Sequence, residues 1–172
     1  MTPEQPLTRP VPLGRQHDLS AFKCGVSALD EYLQKHAWQN HQNRSSRTYV
    51  AARGERVVGY YTLTVGSVVR EHAPPRVTKG LGGYPVPIIL LARLAVDSTE
   101  QGRGVGAALL KDALLRAAQA ADIVGCRAIV VHAKDHASQA FYRKYGFVSS
   151  PIDELHLYLL LKDIKSLLGP TP

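Results

Sequence analysis

The chain has 172 residues, 45% of them hydrophobic and 20% charged, a balance that suits one globular domain and excludes a disordered or fibrous chain. Its two cysteines, Cys24 and Cys126, stand outside any C-x-x-C spacing, so no disulfide framework and no metal site is signalled. The N-terminus lacks a basic segment followed by an apolar run, and the apolar stretch 87–96 is short and broken by Arg93, which predicts a cytoplasmic protein without secretion signal or membrane span.

The net charge of +7 is unevenly spread. Residues 1–34 hold three Lys/Arg against four Asp/Glu, residues 35–93 nine against two, and residues 94–172 nine against eight. The middle segment therefore carries the excess, which suits a polyanionic partner as well as it suits a solvated basic face.

Read in chain order, Ser27-Ala28-Leu29-Asp30 has the form of a capping box, and Leu29, Tyr32, Leu33 and Ala37 follow at helical spacing, predicting a helix over residues 28–40. Two β-rich runs, 47–53 and 57–69, flank Gly54-Glu55 and predict a tight hairpin. A Pro- and Gly-rich loop spans 70–87. The nearly continuous apolar run 88–96 reads as a central strand covered on both faces. A helix is predicted from Val105 to about Ala121, then a strand over 128–131 and a short helix capped by Asp135 and stopped by Gly146. A last strand over 155–159 and a terminal helical turn over 164–168 complete an α/β or α+β pattern.

The segment Gln101-Gly102-Arg103-Gly104-Val105-Gly106-Ala107 lies between the central strand and the longest helix. Glycines there permit a sharp turn and close approach to a ligand, and a helix start offers unpaired N–H groups to a pyrophosphate. A Walker A loop needs Gly-Lys-Ser/Thr, but Gly106 is followed by Ala107-Ala108. A dinucleotide fingerprint is also missed, because Gly104-Val105-Gly106 closes too soon and Asp122 falls at a helix end.

What remains, Q-x-x-G-x-G on a strand-to-helix turn, resembles the acetyl-coenzyme A signature of the GNAT superfamily of N-acetyltransferases. A second motif, residues 135–147 around Phe141-Tyr142, stands at that family's expected place. The resemblance implies an α+β GNAT fold: a mixed, mostly antiparallel sheet with a V-shaped splay, flanked by helices. It implies that acetyl-coenzyme A is held by Leu94, Ala95 and Val96, by Gln101, Gly102, Arg103, Gly104, Val105, Gly106 and Ala107, and by Asp135, Ser138 and Phe141. Tyr142 is implied as the proton donor to the leaving thiolate, with Tyr145 as its rival, and the N–H of Ala95 or Val96 as a donor to the thioester oxygen. The family often has Asn where this chain has Asp135. No carboxylate stands out as general base, so the amine loses its proton to water or already has a low pKa.

Phe22-x-Cys24-Gly25, Leu29-Asp30-x-Tyr32-Leu33, Gly59-Tyr60-Tyr61 and Leu91-Ala92-Arg93-Leu94-Ala95-Val96-Asp97 are similar to the TacT-like GNAT toxins of bacterial type II toxin–antitoxin modules. That resemblance implies an aminoacyl-tRNA substrate, a ribbon-helix-helix antitoxin and a homodimer. With the basic middle segment it places tRNA contacts among Arg44, Arg47, Arg76, Lys79 and Arg93. The alternatives are a GNAT enzyme acting on a small amine or a protein N-terminus, and a non-catalytic acyl-coenzyme A sensor. His132 and His136 straddle a strand-to-helix junction without an acidic or thiol companion, which argues against a metal site. Tyr60 and Tyr61, neighbours on a strand, must face opposite ways.

Overall fold

In the computed structural model, which describes residues 3–167, the β-rich run after the first helix folds back on itself as an antiparallel hairpin. Strands β2 (Arg47–Arg53) and β3 (Arg56–Val68) are joined through Gly54, whose φ of +60° suits glycine. The chain divides into two compact units, Met1–Thr64 with Ala92–Ala113, and Val65–Leu91 with Leu114–Pro172. Strands β3 and β4 (Val86–Val96) and helix α4 (Val105–Ile123) each run through both. The fold is α+β, with a mixed, mostly antiparallel sheet.

In the first unit the strand order is β1 (Val11–Pro12), β2, β3, β4. The predicted helix is present but is not one α-helix: α1 (Ser27–Glu31) leads into a π-helical stretch, Tyr32–His36, and then α2 (Ala37–Asn43). Nor is the capping box realised. The N-cap is Val26 without a side-chain cap, and Asp30 instead reaches back past the helix start to accept from the Cys24 N–H at 2.9 Å. Arg44, at φ +64°, ends α2 in the left-handed conformation.

Tyr60 and Tyr61 face opposite sides and both are buried. Tyr60 packs with Phe22, Leu33 and Val50, and its hydroxyl donates to the Leu29 carbonyl at 2.7 Å. Tyr61 donates to Asp112 on α4. Two helix-covered faces explain why neither tyrosine sees water.

In the second unit β4 pairs in parallel with β5 (Ala128–His132), which pairs antiparallel with β7 (His156–Leu160), with β6 (Val148–Ser149) at the edge. The Pro/Gly-rich stretch is more ordered than its composition predicts. It holds a 3-10 turn, Arg70–His72, and helix α3 (Pro75–Thr78), which Pro75 starts at the position proline tolerates best. Arg70 donates to the carbonyls of Leu81 and Gly82, and Arg127 to those of Val77 (2.8 Å) and Lys79 (3.0 Å). Helix α5 (His136–Arg143) begins at Asp135, and Gly146 follows it at φ +92°. Helix α6 (Leu161–Leu167) closes the described chain; position 168 of the predicted terminal turn lies outside the described residues. No helix among the described residues is long and apolar enough to cross a membrane.

Strands β1 and β6, two residues each, have no counterpart in the sequence pattern, since two residues carry no periodicity. Gly59 seats α4 on the sheet: a Cβ there would stand 2.9 Å from Leu109 Cδ1 and 3.1 Å from Val105 Cγ1. Gly59→Val is therefore expected to push the start of α4 off β3 and to destabilise the protein by about 1–3 kcal/mol. Chemical denaturation with acetyl-coenzyme A titration reads both effects, and an unchanged midpoint would contradict the close approach.

Candidate active site

The turn between β4 and α4 is built so that its backbone, more than its side chains, is left free for a ligand. Gly102 and Gly104 adopt φ +79° and +85°, and a Cβ at either would meet no atom within 4 Å. Ala108 N–H to the Gly104 carbonyl (3.1 Å) is the first helical bond, so the N–H groups of Val105, Gly106 and Ala107 start α4 with no intrahelical acceptor. Positive helix dipole, free donors and open space at two glycines fit a pyrophosphate.

The side chains of the turn are spent on holding it. Gln101 donates both amide N–H bonds, to the carbonyls of Cys24 (2.8 Å) and Val96 (2.9 Å). Asp97, 4% exposed, accepts from Lys23 N–H and from the Thr99 N–H and hydroxyl. Burial pushes the Asp97 carboxyl up, but these hydrogen bonds and the nearby Arg56 outweigh it and hold it below the usual carboxylate range. Glu100, 1% exposed, takes Arg53 at 2.6 and 3.2 Å, and that guanidinium holds its carboxyl below the ordinary glutamate value. Arg103, expected at the cofactor, is drawn instead toward Glu100 (3.3 Å) and Glu4 (3.4 Å).

Just before the turn, Leu94 and Val96 are half-buried, while Ala95 between them joins the core with Tyr32 and Tyr60. Arg93 does not point free into solvent. Its guanidinium carbon lies 3.5 Å from the centre of the Tyr32 ring. Arg47 donates to the His41 carbonyl at 2.9 Å, and Arg44 is exposed at the end of α2.

In the second unit the Asp135 carboxylate caps α5 by accepting from Ser138 N–H at 2.8 Å. That bond lowers its pKa and occupies one of its oxygens. Tyr142 is 6% exposed, and burial pushes its phenol well above the usual tyrosine range. Phe141 and Phe147 meet its ring edge-on at 5.1 and 5.5 Å. Its hydroxyl has no hydrogen-bond partner among the described residues, yet no fully buried side-chain oxygen or nitrogen among them is unpaired. The phenol oxygen therefore opens onto solvent-accessible space. Tyr145, the rival, is half-buried with its ring against Phe141. Arg76 is paired with Asp163, while Lys79 is exposed.

The histidines are engaged with protein groups. His132 stacks on His156 with ring centres 3.9 Å apart, and His136 pairs with Glu154 at 2.8 Å. No group of residues able to hold a metal is found among the described residues.

A cradle of backbone donors after a central strand, followed by a capped helix carrying a buried tyrosine, is matched by a family profile described as an acetyltransferase (GNAT) domain over residues 44–149. The chain belongs to the GNAT acetyltransferase family. Among its GNAT relatives, the "tRNA-acetylating toxin" of Mycobacterium tuberculosis (strain ATCC 25618 / H37Rv) is 51% identical over 152 residues, 88% of this chain and 91% of that one. The structure of AtaT complexed with acetyl-methionyl-tRNAfMet superposes with a TM-score of 0.87 at 30% identity, covering 95% of this chain and all of that one. A variant of the AtaT toxin bound to the C-terminus of the antitoxin AtaR has a TM-score of 0.81 at 29% identity, covering 95% of this chain and 99% of that one.

For a GNAT enzyme the geometry of Gly104 makes a direct statement. Gly104→Asp adds a strained φ and a carboxylate where phosphate oxygens would sit, and is expected to weaken acetyl-coenzyme A binding by roughly tenfold or more. Calorimetric titration measures it, and unchanged affinity would remove the cradle from the binding site.

Proposed function

We propose that the chain is a toxin that transfers the acetyl group of acetyl-coenzyme A to the α-amine of an aminoacyl-tRNA, blocking translation until an antitoxin neutralises it. The observation that carries this reading is the 51% identity, over nearly the whole length of both chains, with the tRNA-acetylating toxin of Mycobacterium tuberculosis. The likeness to AtaT in complex with an acetylated aminoacyl-tRNA, and with its antitoxin, supports substrate and partner alike. The ribbon-helix-helix class of the antitoxin and a homodimeric state follow from the family resemblance.

Acetyl-coenzyme A would supply an activated thioester. The chain's part is to bind, orient and move one proton. The N–H groups at the start of α4 take the pyrophosphate, and the strand segment Leu94–Val96 takes the pantetheine arm, with the N–H of Ala95 or Val96 serving the thioester oxygen. Tyr142 holds a proton at its phenol oxygen and gives it to the leaving sulfur. Burial keeps the phenol protonated and equally makes it a weaker acid, so its proton would pass only as charge builds on the departing sulfur. An aminoacyl ester already lowers the pKa of its own amine through the adjacent electron-withdrawing group, so a protein carboxylate base is not required.

Mass spectrometry of charged tRNA pools incubated with the protein and acetyl-coenzyme A tests the function: acetylated aminoacyl-tRNA is the expected product, and acetylation of small amines alone would reject it. Tyr142→Phe is expected to keep acetyl-coenzyme A affinity while lowering kcat roughly 10²- to 10⁴-fold; near wild-type turnover would move the role to Tyr145. Replacing Arg44, Arg47, Arg76 and Lys79 together by alanine should raise KM for charged tRNA with little change in kcat. It should also flatten the dependence of log affinity on log salt by roughly 0.7–0.9 per lost contact. Equal KM and equal slope would leave these cations as solvated surface.

A further inference from the structure

Arg93 sits on β4 immediately before the segment Leu94–Val96, and its guanidinium carbon lies over the Tyr32 ring, 3.5 Å from the ring centre, a separation too short for an N–H of the fork to point at the ring. Tyr32 is itself fixed. It is 7% exposed, its hydroxyl shares a 2.9 Å hydrogen bond with Ser46 Oγ, and Asn40 Nδ2 donates to the same oxygen at 3.3 Å. Tyr32 also opens the π-helical stretch Tyr32–His36, a local widening of the helix of a kind that is rare and concentrates at functional positions.

Stacking occupies the π face of a guanidinium and leaves its in-plane edge, five N–H donors in a rigid fork, for an acceptor. Among the described residues no carbonyl or carboxylate takes that edge. The contrast with the other arginines is sharp: Arg53 donates to Glu100, Arg76 to Asp163, and Arg70 and Arg127 to loop carbonyls. Arg93 is half-buried and oriented by an aromatic platform, and its donors remain available to a planar anion with two adjacent oxygens. Its charge also reaches the Tyr60 hydroxyl, where it opposes the rise that burial imposes on that phenol.

We propose that Tyr32 and Arg93 form an anion clamp, in which Tyr32 positions the Arg93 guanidinium to bind a phosphodiester of the acceptor RNA beside the strand segment Leu94–Val96. The inference rests on the aminoacyl-tRNA reading above and deepens it by naming a phosphate subsite and the aromatic residue that builds it. The coenzyme's own phosphates are the other source of the same chemistry, so the test separates the two.

Acetyl transfer to aminoacyl-tRNA, filter binding of that RNA across a salt series, and calorimetric titration of acetyl-coenzyme A are measured for wild type, Arg93→Gln, Tyr32→Leu and Tyr32→Phe. Arg93→Gln is expected to raise KM for aminoacyl-tRNA roughly ten- to hundredfold and to flatten the salt slope by about 0.7, with acetyl-coenzyme A affinity intact. Tyr32→Leu should raise KM in the same direction and flatten the salt slope by less than Arg93→Gln does, since the charge stays and only its aim is lost. Tyr32→Phe should recover most of that loss because the ring remains. A purely structural Arg93 would lower the melting temperature without moving the slope, and that result overturns the clamp. Weakened acetyl-coenzyme A binding with unchanged RNA affinity would assign Arg93 to the cofactor and also overturn it. If Tyr32→Leu does not fold, Arg93→Gln alone decides through its KM and slope. A wild type that acetylates no aminoacyl-tRNA would overturn the function reading and the clamp with it, whereas a wild type that does so, with Arg93→Gln unaffected, would remove the clamp only.

Discussion

The turn that follows β4 presents its peptide N–H groups, and such groups can select a ligand only if the backbone carrying them is held still. Three side chains do this. Asp97 accepts from the Lys23 backbone, Gln101 donates to carbonyls at Cys24 and Val96, and Glu100 is locked by Arg53. Each ties the turn to a segment far away in sequence. The Gln of the Q-x-x-G-x-G turn thus acts here through the backbone it fixes, since both its donors are used by protein carbonyls, and the groups left free for an anion are the glycine backbone and the helix start.

Charge in this protein is sorted by packing. The cationic middle segment would suggest nine equivalent phosphate contacts, but its members have different occupations. Lys35 pairs with Glu31 on its own helix, Arg53 supports the turn, Arg70 and Arg47 serve carbonyls, and Arg76 meets Asp163. The exposed side chains of Arg44 and Lys79 have no hydrogen bond or ion pair among the described residues, and Arg93 is held against Tyr32. Exposed pairs such as Arg76 with Asp163 are weak enough to be exchanged for a polyanion. Arg53, facing a nearly inaccessible carboxylate, is not.

The second unit holds Tyr142 in a closely defined place. Helix α5 is short, begins at an aspartate cap and ends at a left-handed glycine, so its register is defined from both ends. Within it Tyr142 is wedged between Phe141 and Phe147. An apolar, aromatic setting raises the cost of a phenolate and keeps the Tyr142 phenol protonated.

Much of this was legible in the sequence because it depends on short-range rules. The 2.0 and 3.6 residue periods marked the strands and helices, Gly54 and Gly146 marked turns that need positive φ, Asp135 announced its own cap, and the Q-x-x-G-x-G turn with Phe141-Tyr142 pointed to the family. Local rules reach only a few residues, and they failed where a more distant group competed: Asp30 abandoned its box for Cys24, and a proline-rich stretch became ordered because Arg70 and Arg127 bind its carbonyls. Tertiary structure alone decided that Glu100 and Arg53 meet across 47 residues, and that Arg103 turns to Glu100. It alone placed Arg93 over Tyr32. A cation's partner depends on which chain segments packing brings within a few ångströms, and composition and spacing carry no record of that.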